Sequence, residues 1–283
     1  MAKVIVLIHG RSQKPDIETL TAGWKSAINE GLLHSTTLPS LKGVKVEMVY
    51  YADLHYTNGP VADSDNEEPY LKAEPGSIRR YKLGLIDRLR RTATNWFDTP
   101  IDWLEEHSKV FSTLARKIAK KMLKDLGKYY SQPTFKTSVD NRLRDVLVEN
   151  KDNEIILVSH SMGTIVAYEV LRKLGRDNQV KDFQLEHWIT LGSPLGISAV
   201  QGNIINTHNR LRTPSCVRAS WVNFSDPGDF VCLDTHLADD YEANSTKIGV
   251  KDILVCNDYP NNEHKSYGYL RTPEFSEHLA SLL

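Results

Sequence analysis

Apolar residues in this chain fall into short unbroken runs separated by longer stretches of mixed polarity. Val4 to Ile8 is a continuous run of β-branched and aliphatic residues closed by Gly10, which reads as a strand buried on both faces. Ile17, Leu20, Trp24, Ile28, Leu32 and Leu33 then recur at three- and four-residue spacing and predict an amphipathic helix over 17–33. Val44 to Tyr51 predicts a second strand. Short buried strands follow at Ile155 to Val158, Trp188 to Leu191, Trp221 to Phe224 and Ile253 to Val255, with helices at Thr164 to Leu174 and Pro273 to Leu283. Residues 56–76 carry Asn58-Gly59-Pro60, an acidic cluster and Pro75-Gly76, and predict a long solvated loop. From Ile78 to about Glu149 the pattern turns helical and charged, with breaks at Pro100 and Gln132-Pro133. Short strands alternating with helices predict an α/β fold, doubly wound on a mostly parallel sheet, with ligands at the strand C-terminal ends.

Composition narrows the class. With 283 residues, 40% hydrophobic and 25% charged, the chain can bury a full core, which excludes disordered and collagenous classes. Lys and Arg number 35 against 36 Asp and Glu, and a net charge of −1 argues against a dedicated nucleic-acid binder. The three cysteines, Cys216, Cys232 and Cys256, form no CxxC pair and no zinc-like cluster, so neither a disulfide framework nor a structural metal is expected. The short N-terminal apolar run is no signal peptide, and no run of about 18 apolar residues exists to span a membrane, so the expected compartment is the cytoplasm.

The sharpest chemical signal is Ile155-Ile156-Leu157-Val158-Ser159-His160-Ser161-Met162-Gly163-Thr164, a strand followed at once by a helix with Ser161 at the apex. So tight a turn requires small residues two before and two after the apex, and Ser159 and Gly163 comply. It lifts the serine hydroxyl above the sheet edge and aims the Met162 N–H at the start of the helix, where the dipole favours an anion. Ser161 is also an ordinary helix N-cap type, so context has to support the stronger reading.

With this nucleophile elbow the chain resembles the α/β-hydrolase superfamily, in particular its lipase- and esterase-like serine hydrolases. Ser159 replaces the first Gly of G-x-S-x-G, one small residue for another. The resemblance implies a single hydrolase domain over 1–283, and because the His-Gly strand already starts at residue 4, a sheet of about six strands is expected. His9-Gly10-Arg11 at the end of the first strand matches the start of an oxyanion loop, with Arg11 as the second backbone N–H donor beside Met162 and Gly10 as the next choice. His9, Gly10 and His160 are site-lining candidates. The resemblance also implies the chain order Ser, acid, His. Asn223-Phe224-Ser225-Asp226-Pro227-Gly228-Asp229-Phe230-Val231 offers two acids. Asp229 matches the family's Asp-x-Val turn and takes the orienting role, and Asp226 is the alternative, or the Asp of an Asp-Pro turn. Of ten histidines, His264 in Glu263-His264-Lys265-Ser266-Tyr267 follows the last strand, where the fold puts the base. His236 follows too closely on Asp229, and His278 lies inside the terminal helix.

Ester hydrolysis through an acyl-Ser161 intermediate follows from the resemblance, with no metal or organic cofactor required and a small-molecule or lipid ester as substrate. A thioesterase or peptidase would use the same triad, and a non-catalytic binding module of the same fold is the alternative outside enzymes. Between Gly76 and Tyr130, thirteen Lys and Arg oppose six Asp and Glu, a net of +7. Ile101, Leu104, Phe111, Leu114, Ile118, Met122 and Leu126 fall there at helical spacing beside Trp96, Phe97 and Trp103. The plainer interpretation of this insert, taken as 76–135, is helices packed on the sheet with Lys in solvent. A lid or cap that meets an anionic lipid surface is the second interpretation, and a homodimer contact the third.

Overall fold

A computed structural model describes residues 1–56, 59–60, 69–82, 124–180, 182–232 and 234–283. The chain runs β1 (Lys3–Ile8), α1 (Ile17–Ser35), β2 (Lys45–Val49), α2 (Ala52–His55), α3 (Pro133–Glu149), β3 (Glu154–His160), α4 (Met162–Leu174), β4 (Leu185–Leu191), α5 (Ser198–His208), β5 (Val217–Ser225), β6 (Val250–Leu254), α6 (Ser266–Leu270) and α7 (Pro273–Leu282), and residues 124–131 are also helical. Among the described residues the sheet has six strands in the order β2-β1-β3-β4-β5-β6, every neighbouring pair parallel. This is the doubly wound α/β sheet that the sequence pattern predicts.

β1 shows why its sequence is an unbroken apolar run. Val4, Val6 and Ile8 face one buried layer and Ile5 and Leu7 the other, so both parities of the strand must be apolar. On the first side lie helix 124–131, α3, α4 and α5, where the Trp188 and Trp221 rings stack at 4.4 Å. On the second lie α1, α6 and α7, contributing Trp24, Tyr267 and Phe275. Asp16 caps α1, its Oδ1 accepting the Thr19 N–H at 2.8 Å. The apolar stripe of α1 is narrower than expected. Leu32 is buried, but Leu33, one residue and about 100° further round the helix, is 70% exposed, and Ile17 at the helix start is exposed too.

Two expectations along the insert divide differently. The break at Gln132-Pro133 is real: Gln132 caps α3 and Pro133 is its first residue. Residues 78–82, expected to begin the helical pattern, are irregular instead, with the Tyr81 N–H donated to Glu274 Oε1 at 3.0 Å. Residues 83–123, with most of the expected basic lid, its Trp96, Phe97 and Trp103 and its Pro100 break, lie outside the described residues. No described helix is long and apolar enough to cross a membrane.

The chain steps from β1 outward to β2 and then crosses to β3 on the other side of β1. At such a reversal the loops leaving β1 and β3 diverge, and the crevice between them is where open α/β sheets bind ligands. Gly10 and Ser161 stand at those two strand ends.

Candidate active site

Ser161 joins β3 to α4 with φ 54° and ψ −128°, a conformation that residues with a Cβ adopt at a penalty of about 1–3 kcal/mol. The surroundings over-determine it. The Ser161 N–H donates to Leu191 O at 3.0 Å, and the Thr164 N–H and hydroxyl donate to Ser161 O at 2.9 and 2.7 Å. Gly163 must be glycine because a Cβ there would stand 2.6 Å from His9 O. Ser159 is small for a different reason: its hydroxyl donates to Ile189 O at 3.1 Å and accepts the Trp188 indole N–H at 2.9 Å. Gly10 lets β1 end directly against the elbow, since a Cβ there would stand 2.7 Å from Ser161 Cβ.

The structure brings Ser161, His264 and Asp229 into one hydrogen-bonded chain. His264 Nε2 lies 2.7 Å from Ser161 Oγ, and His264 Nδ1 lies 2.8 Å from Asp229 Oδ2. A carboxylate only accepts, so Nδ1 carries the proton and Nε2 turns its lone pair to the serine hydroxyl. The Asp229 side chain is fully buried and its other contacts are also donors: the Val231 N–H to Oδ1 at 2.9 Å, and the Tyr269 hydroxyl to Oδ2 at 2.8 Å. The Cys232 thiol, 3.4 Å from Oδ2, is pushed well up by burial and then by the Asp229 charge, so it too stays protonated. Gly192 completes the approach. It has φ 55°, and a Cβ there would stand 3.1 Å from Asp229 Oδ2.

Asp226 is turned elsewhere. Its Oδ2 accepts the Asn257 N–H at 2.5 Å and its Oδ1 the Gly228 N–H at 2.7 Å, while burial pushes its carboxyl up to about 6. His160 lies beside His264, ring centroids 4.8 Å apart, and its Nε2–H donates to His264 O at 2.9 Å. Burial first, and then the proximity of the His264 ring, Lys14 and Lys265, push His160 well below the usual histidine range, so it is neutral. His9 is buried away from the hydroxyl chain. Its ring stacks on Tyr51 at 4.2 Å, takes the Tyr51 N–H on Nε2 at 3.1 Å and donates from Nδ1 to Gly10 O at 2.6 Å. His236 pairs with Thr235, and burial pushes His278, inside α7, down to about 4.

Met162 is the first residue of α4, where a helix N–H lacks an intrahelical acceptor and the dipole favours negative charge. Arg11 follows β1, and its guanidinium lies 3.4 Å from Asp125 of helix 124–131, which also accepts from the Tyr56 hydroxyl at 3.4 Å. The loop after β1 is thereby tied to the helix that ends the insert. Among the described residues, Asp234, Asp239 and Asp240 have carboxylate oxygens within 4.8 Å of one another, close enough to share a cation.

Tyr269, Cys232 and Asn257 surround the acid and the base without any signal in the sequence pattern. They belong to turns and a five-residue helix, where spacing carries no face information.

A family model described as "Alpha/beta hydrolase of unknown function (DUF900)" matches residues 119–214, from before helix 124–131 through the elbow to beyond α5. That segment is similar to an α/β-hydrolase family, and the six-stranded parallel sheet with the elbow at its switch point is consistent with the α/β-hydrolase fold. Among solved structures it is similar to "A novel cutinase-like protein from Cryptococcus sp." at 12% identity and a TM-score of 0.36, covering 99% of this chain and 94% of that one. No curated protein matches the chain in sequence.

Proposed function

We propose that this protein is a serine hydrolase that cleaves carboxylic esters through a covalent acyl-serine intermediate. The observation that carries the reading is the continuous chain Asp229, His264, Ser161, with contacts of 2.8 and 2.7 Å and the elbow strain on the serine. In this reading His264 Nε2 takes the Ser161 proton as Oγ attacks the ester carbonyl, and Asp229 stabilises the imidazolium. The Met162 and Arg11 N–H groups receive the developing oxyanion, where one such donor is worth about 2.7–4 kcal/mol of barrier. The imidazolium then gives its proton to the leaving alcohol. Water, deprotonated by the same nitrogen, releases the acid and restores the serine.

The test is labelling with a fluorophosphonate probe together with turnover of p-nitrophenyl esters of rising chain length. The reading expects stoichiometric labelling that disappears in Ser161→Ala, and ester turnover that disappears with it. Labelling retained in Ser161→Ala, or no labelling of the folded wild type, sinks it.

A further inference from the structure

The base sits on an irregular segment between β6 and α6, which has no ladder of its own to hold a side chain in place. Three consecutive carbonyls there, those of Glu263, His264 and Lys265, each accept a hydrogen bond from a buried side chain. Asn257 Nδ2 donates to Glu263 O at 2.8 Å and to Lys265 O at 2.9 Å, and His160 Nε2 donates to His264 O at 2.9 Å. Asn257 is itself fixed on every side. Its Oδ1 accepts the Tyr259 N–H at 3.0 Å, and its own N–H donates to Asp226 Oδ2 at 2.5 Å. Gly268 of α6 packs so closely that a Cβ there would stand 1.6 Å from Asn257 Oδ1. A flipped carboxamide would set its oxygen against two carbonyl oxygens and its NH2 against an N–H, so one orientation survives.

We propose that Asn257 is the positioning residue for His264. It holds the peptide groups on both sides of the base, so that one imidazole reaches Asp229 and Ser161 at once. Neither contact tolerates much drift, because a 1 Å misplacement of a reacting group slows an enzyme by about 100-fold. Asp226 acts one step further back by holding the Asn257 backbone. The kinetic consequence rests on the serine-hydrolase reading, whereas the structural consequence does not.

Asn257→Asp is the isosteric test, since it replaces both donated hydrogens by an oxygen facing two carbonyls, and Asn257→Ser removes the bridge if the first variant fails to fold. For whichever variant keeps the wild-type near-ultraviolet dichroism, kcat on a p-nitrophenyl ester and the rate of fluorophosphonate labelling should fall together by about 10- to 100-fold. KM should stay within about twofold, because the lost interaction orients the base and not the substrate. A second measurement needs no substrate. The downfield proton resonance of the His264 Nδ1–H, assigned by its loss in His264→Ala, should move upfield or broaden in the Asn257 variant. Wild-type kcat and labelling rate in a folded Asn257 variant, a change in KM alone, or an unmoved His264 resonance would each overturn the proposal. If wild-type protein neither labels nor turns over esters, the hydrolase reading fails, and the resonance alone decides the role of Asn257.

Discussion

Among the described residues, two buried carboxylate–imidazole pairs adjoin the elbow helix, one at its N-terminal end and one along its flank, and they are built for different ends. Asp229 and His264 meet at 2.8 Å at the strand ends, where the far nitrogen of the ring faces a serine hydroxyl. Glu169 of α4 and His208 at the end of α5 meet at 3.4 Å in the layer between helices, where Glu169 lies 3.0 Å from Lys136. Lys136 in turn contacts the Tyr129 hydroxyl at 2.7 Å and Asp140 at 3.5 Å, and Lys173 reaches Asp140 at 2.7 Å. Burial pushes the Glu169 carboxyl up, but His208 and Lys136 outweigh it and leave the group below its ordinary range. An acid beside an imidazole is therefore not in itself chemistry. The third group decides: a hydroxyl that gives up its proton in one pair, a cation that neutralises charge in the other.

That contrast breaks first, and most widely, at the acids. Asp229→Asn should lower kcat by about four orders of magnitude, because the amide favours the wrong imidazole tautomer and stabilises no imidazolium. Glu169→Gln should leave kcat within about threefold. Comparable losses from both would erase the distinction drawn between the pairs. Next in size is Lys136→Met, which leaves Asp140 its Lys173 partner but takes the cation from the buried Glu169. Removing one partner of a buried pair costs about 3–5 kcal/mol, which a urea denaturation midpoint would read. Labelling of Ser161 in the folded fraction should keep its wild-type rate, and a labelling defect as large as that of Asp229→Asn would merge the two clusters into one functional unit.

How far these features are legible in the sequence depends on whether their signal is periodic or local. The strand interiors are legible because burial on both faces forces unbroken apolar runs, as at Val4 to Ile8 and Ile155 to Val158. Ser161, His264 and a turn carrying two candidate acids are each legible from a strand end, since the turn chemistry is contained in a few adjacent residues. Which of Asp226 and Asp229 faces the ring is not, because the two share one turn and only the path of the loop aims them. α5 escapes the pattern because its buried residues are only Val200, Ile204 and His208, and Gly202 and Asn203 are poor helix formers. Lys136 and Glu169 mislead in the opposite direction: charged residues at helical spacing read as a solvated face, yet Glu169 is 0% exposed. Asn257 and Tyr269 act through contacts across loops, which a one-dimensional pattern does not record.

The smallest expected effect separates the two acids of that turn by pH. Asp226 is raised from 3.8 to about 6, chiefly by burial, with the Asn257 and Gly228 N–H groups opposing that rise. The folded state therefore binds its proton more tightly than the unfolded chain does. The stability this group contributes is fully present below about pH 4 and is lost as pH rises through about 6. A tenfold difference in proton affinity between the two states is worth about 1.4 kcal/mol, so unfolding free energy should fall by about 1–3 kcal/mol across this window on account of Asp226. Asp226→Asn should flatten that part of the pH dependence whatever its effect on stability at a single pH, where the amide also forfeits one of two acceptor oxygens. Its kcat should fall no more than about tenfold, because the Asn257 N–H can still be met by the remaining oxygen. Identical pH slopes for wild type and Asp226→Asn would show that folding does not shift this carboxyl. A loss of turnover matching that of Asp229→Asn would show that the two acids are not divided between orienting the base and holding the loop behind it.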